Sequence, residues 1–181
     1  MGRGLLLKLI PFSAAYGFFL VNYVDLVAYP SSLSTPGYHL WLFILCFAPS
    51  IPVLLILGLK GWGLALGMGL TASLMNDLGF CPAAAILFGG SHSFKSDPFT
   101  FYSYQLGLHG SEVWWFINLG FTSIPASSYY IAATIYLRIA LASLALLKWY
   151  RGNVTHDSFK GPPRGAGNHL STPPLKRALK G

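Results

Sequence analysis

Three ionisable residues stand inside long apolar stretches of this sequence, Asp25, Asp77 and Arg138, and they are where its chemistry is expected. A charge near a bilayer centre costs at least about 2.5 to 3.5 kcal/mol on insertion scales, so such residues pair with one another or line a polar site. Arg138 is therefore expected to pair with Asp77 or Asp25. In a catalytic or binding site, Asp77 would serve as acid or base, while Arg138 would hold an anionic headgroup or orient an aspartate. Asn22, Asn76 and Tyr136 stand close to these residues in sequence, and His39, His109 and Glu112 lie at the same ends of the apolar stretches. These six are the expected binding residues.

Other chemistries lack their residues. Cys46 and Cys81 form no CxxC pair, which excludes thiol-disulfide exchange with a quinone and leaves two buried small hydrophobes. His92, Asp97, His109 and Glu112 share no helix face of the HExxH kind, so no metal is expected. Ser111 reads as a helix N-cap with Glu112 in the first turn, where it suits the positive dipole end. No histidine lies deep in a span as a haem ligand would, and no cofactor is expected. Gly63 and Gly67 follow no strand and precede no Lys-Ser/Thr pair, so they are a close-packing face for another helix and not a phosphate loop.

The elements that position these residues are membrane spans. Of 181 residues, 54% are hydrophobic and only 9% charged, with a mean hydropathy of +0.54. Soluble domains carry about 25% charged residues, so the soluble enzyme classes are excluded. The expected fold is an all-α integral membrane protein of four transmembrane helices, spanning about 9–28, 38–58, 62–80 and 127–150, within one domain over 1–150. Lys8 interrupts the first stretch too early for a cleaved leader, which makes it a retained signal anchor. Pro49 and Pro52 predict a kinked second span, since the carbonyls that they free need donors such as Ser50. Between the third and fourth spans, residues 82–124 break into pieces of roughly 12 and 20 Å as helices. Both fall short of the roughly 30 Å core, so this segment is expected as short interfacial or re-entrant helices. Its Tyr102, Tyr104, Trp114 and Trp115 suit that interface. The fourth span starts near 113 or near 127, and Pro125 favours the later start.

Four spans place the N-terminus, the Lys60 turn and the C-terminal tail on one side, and these hold ten of the twelve basic residues. By the positive-inside rule, both ends are cytoplasmic in a plasma or cytoplasmic membrane. The tail, 151–181, is expected to be disordered and to favour anionic lipid headgroups, with six basic residues against Asp157 alone. Nucleic acid is not the expected partner, and the Asn153 sequon on this side stays unglycosylated.

Counted at 1.5 Å per residue from the cytoplasmic side, Asp25 lies roughly 24 Å, Asp77 roughly 23 Å and Arg138 roughly 18 Å along their helices. The inner halves hold no ionisable group other than Tyr16. The polar groups thus share the outer half above a dry cytoplasmic floor. The first reading is a membrane-embedded enzyme or a lipid- or small-molecule-binding protein with an outward-facing polar pocket. The alternative is an accessory or assembly subunit that docks a partner through the Gly63/Gly67 face. A small transporter ranks last, because alternating access needs polar positions through the full depth.

Overall fold

The computed structural model describes residues 2–28, 36–89 and 97–158. Helices α1 (Gly2–Ala15) and α2 (Asn22–Ala28) are joined by a π turn, Tyr16–Val21, into one continuous helical run. Helices α3 (Tyr38–Phe47) and α4 (Ile51–Leu57) are joined by a tight 3-10 turn at Ala48–Ser50. A second such turn, Gly58–Gly61, leads into α5 (Trp62–Phe88). A short helix α6 (Pro98–Gln105) and an antiparallel hairpin of β1 (Val113–Asn118) and β2 (Ser123–Ser127) precede the long α7 (Ser128–Ser158). Among the described residues, three helical runs are long and apolar enough to cross a membrane: Gly4–Ala28, Tyr38–Phe88 and Ser128–Gly152.

The middle run folds back on itself. Gly58 adopts φ +57°, a conformation that residues with a Cβ rarely take. From there α5 runs antiparallel to α3 and α4, with Phe47 against Gly69, the Ser50 hydroxyl on the Ala65 carbonyl at 2.8 Å, and Val53 beside Leu64. Helix α5 is the hub, packed by α1, the π turn, α2, α3 and α7. Its small residues permit this: a Cβ on Gly17 would stand 2.1 Å from the Ala72 carbonyl oxygen, so the π turn and α5 touch backbone to backbone. Gly63 and Gly67, expected to receive a partner, receive Ala145, Trp149 and Leu146 of α7.

At one end of the bundle, Leu5, Leu6, Leu57 and Trp149 close over Val53, Leu64 and Met68. The N-terminus, the Lys60 turn and the Lys148 end of α7 therefore meet there, with the Lys148 ammonium 5.2 Å from the Trp62 ring. At the other end, α6 and the hairpin form a cap. Phe101, Trp114 and Trp115 pack on Leu26, Phe80, Cys81 and Ala84, and Trp114, Trp115 and Ile117 also meet Ile131 and Ile135 of α7.

The cap corrects the all-α expectation. Residues 113–118 form a strand where a helix was expected, and Glu112 precedes that strand instead of opening a helix. The segment VWWFIN is β-branched and aromatic, Gly120 turns the chain at φ +90°, and Pro125 sits in a two-stranded sheet with no central strand for it to disrupt. The N-cap belongs to Asp97, whose carboxylate accepts from the Thr100 backbone N–H at 2.9 Å and hydroxyl at 3.0 Å. Those bonds hold the Asp97 carboxyl below the usual carboxylate range.

Two boundaries also move. Helix α7 starts at Ser128, as the later alternative has it, and stays helical through Ser158, so the tail does not begin at Arg151. The rest of the tail, 159–181, and His92 lie outside the described residues. The third helix was expected to end before Pro82 yet continues to Phe88. Proline lacks the N–H that would bond the carbonyl four residues earlier. The Leu78 carbonyl takes the Tyr102 hydroxyl instead, at 2.8 Å.

Removing that hydroxyl with Tyr102→Phe strands the Leu78 carbonyl and is expected to lower stability by about 1–2 kcal/mol. In a Pro82→Ala background, the restored N–H takes over the carbonyl and the loss falls towards zero. Thermal unfolding of the detergent-solubilised variants checks this, and equal losses in both backgrounds would break the link between the proline and the cap.

Candidate functional site

Seven of the nine expected site residues form two linked groups and one separate cluster, and Tyr136 and His39 stand outside them. The first group spans α2, α3 and α5. Asn22, fully buried, donates to the Phe18 carbonyl at 3.0 Å and the Met75 carbonyl at 3.2 Å. The first of these bonds repairs the π turn, whose ladder passes from the Asn22 N–H to the Gly17 carbonyl. The Asn76 amide donates to Asn22 Oδ1 at 3.0 Å and to Asp25 Oδ2 at 3.2 Å. The Tyr38 hydroxyl donates to Asp25 Oδ1, so the carboxylate is gripped from two helices.

The second group ties α5 to α7. Arg138 pairs with Asp77, Nη2 donating to Oδ2, while Nη1 donates to the Ser73 hydroxyl at 2.7 Å. Its Nε donates to the Thr134 carbonyl at 3.1 Å. The pair is half-buried, with the Arg138 side chain 16% and the Asp77 side chain 31% exposed. Because Asn76 and Asp77 are neighbours on α5, the two groups form one polar layer across the bundle. Arg138 thus pairs with Asp77, and Asp25 is held by uncharged donors.

The other expected residues lie apart from this layer. Tyr136 is 58% exposed on the outside of α7, since two residues along a helix turn a side chain by about 200°. His39 faces the cap, its Nδ1 accepting from the Asn118 backbone N–H at 2.8 Å. Asn118 Oδ1 in turn accepts from the N–H groups of Gly37 and Gly120. Beside this contact, Pro36, Asn118, Gly120, Phe121, Thr122 and Ser123 line a shallow cavity of about 300 Å³, which none of the expected site residues enters.

His109 and Glu112 belong to the cap, where Ser103 of α6 joins them. The Ser103 hydroxyl lies 2.7 Å from His109 Nε2, and Glu112 Oε2 lies 3.3 Å from His109 Nδ1. Tyr104 stacks flat on the imidazole at 3.8 Å. The neighbouring Glu112 carboxylate, aided by burial, pushes the Tyr104 hydroxyl up to about 12. Among the described residues, no group of three or more His, Cys, Asp or Glu is arranged to hold a metal ion.

Sequence reasoning missed Tyr38, Ser73, Thr134 and Ser103. Ser73 stands four residues before Asp77 and Thr134 four before Arg138, the spacing that stacks two side chains on one helix face, so both were findable. Tyr38 and Ser103 carried no such signal, because their partners come from other segments. Family models, characterised proteins and solved structures yield no match to the chain.

Replacing Arg138 by methionine leaves the Asp77 carboxylate without its cation and is expected to cost about 2 kcal/mol in unfolding experiments. Adding Asp77→Asn should recover more than half of that loss. Additive losses would mean that the pair carries no coupling.

Proposed function

We propose that the chain is a four-crossing membrane protein with both ends in the cytoplasm, and that the polar layer beneath its cap is a binding or catalytic site open to the outer leaflet. The observation that carries this reading is the one-sided placement of polar groups. Asp25, Asn76, Asp77 and Arg138 meet at the capped end, while the opposite end is closed by leucine, valine, methionine and tryptophan. In this reading α3 with α4 is one crossing and α5 another. The fold-back at Gly58 supports it: the 51-residue run would measure about 76 Å as one straight helix, more than twice the roughly 30 Å core. The meeting of the N-terminus, the Lys60 turn and the Lys148 end at the apolar pole supports a cytoplasmic assignment for that pole.

The ligand class is an amphiphile from the outer leaflet, with Arg138 and Asp77 at its polar end. A second reading, an accessory subunit, draws on the same layer. Asp25 and Asp77 already have internal partners, and a register-fixing network with no chemistry of its own would look the same. Its partner would meet the exposed leucine and aromatic faces, because Gly63 and Gly67 are covered by α7.

Cysteine-accessibility labelling at positions 34, 96 and 170 checks the topology, with 34 and 96 expected outside and 170 inside. Either outer position labelling with 170 would remove the four-crossing reading. Purification in mild detergent followed by mass spectrometry then separates the functions. A lipid retained by the native chain and lost from Arg138→Met with Asp77→Asn supports the site, whereas a stoichiometric protein partner with no retained lipid supports the subunit.

A further inference from the structure

The cap holds an arrangement that the polar layer does not use. Ser103 and Glu112 approach opposite nitrogens of one imidazole, at 2.7 Å from Nε2 and 3.3 Å from Nδ1. This connectivity matters chemically. A carboxylate at Nδ1 favours the tautomer protonated there, which leaves the Nε2 lone pair facing the serine hydroxyl. The hydroxyl has one proton and two acceptors, Nε2 and the Thr100 carbonyl, each at 2.7 Å. Rotation about Cβ–Oγ passes the proton from the helix carbonyl to the imidazole without moving the backbone.

The histidine is held in place by several independent contacts. Gly107 (φ +84°) and Gly110 (φ +63°) flank it and turn the chain back over α6. The Tyr129 N–H donates to the Gly110 carbonyl at 2.9 Å, and the Ser128 hydroxyl joins the His109 N–H to the Tyr104 carbonyl. Tyr104 lies within 8° of parallel to the ring. The arrangement opens outward: the Glu112 side chain is 59% exposed and the His109 side chain 33%, with Ser103 buried beneath.

We propose that Ser103, His109 and Glu112 form a nucleophilic relay that hydrolyses a neutral carboxylic ester bearing an acyl chain. The substrate class follows from the surroundings. Phe99, Leu106 and Leu108 are exposed around the relay, and no lysine or arginine occurs from Asp97 to Leu137 to hold a phosphate or carboxylate. In the first step, Ser103 Oγ bonds to the ester carbonyl carbon as Nε2 takes the hydroxyl proton. The carbon–alkoxide bond then breaks, and the leaving alcohol takes that proton. Water, deprotonated by Nε2, attacks the acyl-serine and releases the acid, and Ser103 regains its proton. Ester and water become alcohol and acid. Ser103 and His109 are the catalytic residues, and Glu112 is a positioning residue. Delivery of the ester from a membrane rests on the reading of the long helices as crossings, whereas the reactivity of Ser103 does not.

The test treats the purified full chain in detergent micelles with a fluorophosphonate probe and maps the adduct by mass spectrometry. The expected adduct sits on Ser103 and is absent in Ser103→Ala. His109→Ala should slow labelling by at least about 100-fold, with partial recovery on adding imidazole, a rescue that a merely structural histidine would not show. His109→Gln provides the same comparison if the alanine variant unfolds. Glu112→Gln should slow labelling and shift its pH profile. Hydrolysis of p-nitrophenyl decanoate should exceed that of the acetate and vanish in Ser103→Ala. No adduct on Ser103 in the folded chain, labelling indifferent to residue 109, or equal hydrolysis by Ser103→Ala would each overturn the relay. Extraction of the chain from membranes by alkaline carbonate would defeat the membrane reading while leaving a labelled Ser103 intact.

Discussion

Apolar surroundings give a freed backbone carbonyl no water to bond, and this constraint organises the bundle. Three breaks in the helical ladders are answered by side chains. Pro49 frees the Leu45 carbonyl, which accepts from the Tyr16 hydroxyl at 3.2 Å and from the Ala48 N–H. Pro82 frees the Leu78 carbonyl, which accepts from Tyr102. The π turn leaves the Phe18 carbonyl to Asn22, which also reaches across to Met75. In two of these cases the donor comes from another element, so a local defect becomes a tie between elements. The first ties the π turn to α3, and the second ties the cap to α5.

The polar layer follows from the same rule. Asn22 is committed to backbone carbonyls, and its own oxygen positions Asn76, which in turn donates to Asp25. Adjacent on α5, Asp77 turns to the other side and meets Arg138. One helix thus satisfies polar groups on both flanks, which is why small residues that let neighbours approach recur along it. The cap adds a second polar region whose members belong to a different circuit, with His109 locked to Ser103 and Tyr104 and His39 locked to Asn118. The two polar regions have separate hydrogen-bond networks, so a change in one leaves the bonds of the other in place.

Hairpin and relay were illegible for a common reason. Residues 112–124 read as a short helix because apolar runs of that length carry no decisive period, and strand pairing is a contact between segments. Ser103 in FTFYSYQ looks like an ordinary helical serine until the glycine turns fold His109 back over it. Pro82 looked like a terminator because proline usually is one, and only the hydroxyl from Tyr102 lets the helix continue.

Composition and apolar run length determined the long helices, because burying or embedding so much apolar surface needs no particular partner. Sequence also determined that Arg138 needs a carboxylate, since an unpaired guanidinium in apolar surroundings is costly on any helix. The tertiary structure decided that the carboxylate is Asp77 and that Asp25 goes to Tyr38 and Asn76. It also decided that the cap joins a hairpin to α6 and brings a serine, a histidine and a glutamate together. Partner choice depends on helix rotation and on loop return, which are set by packing between segments and leave no local trace in the chain.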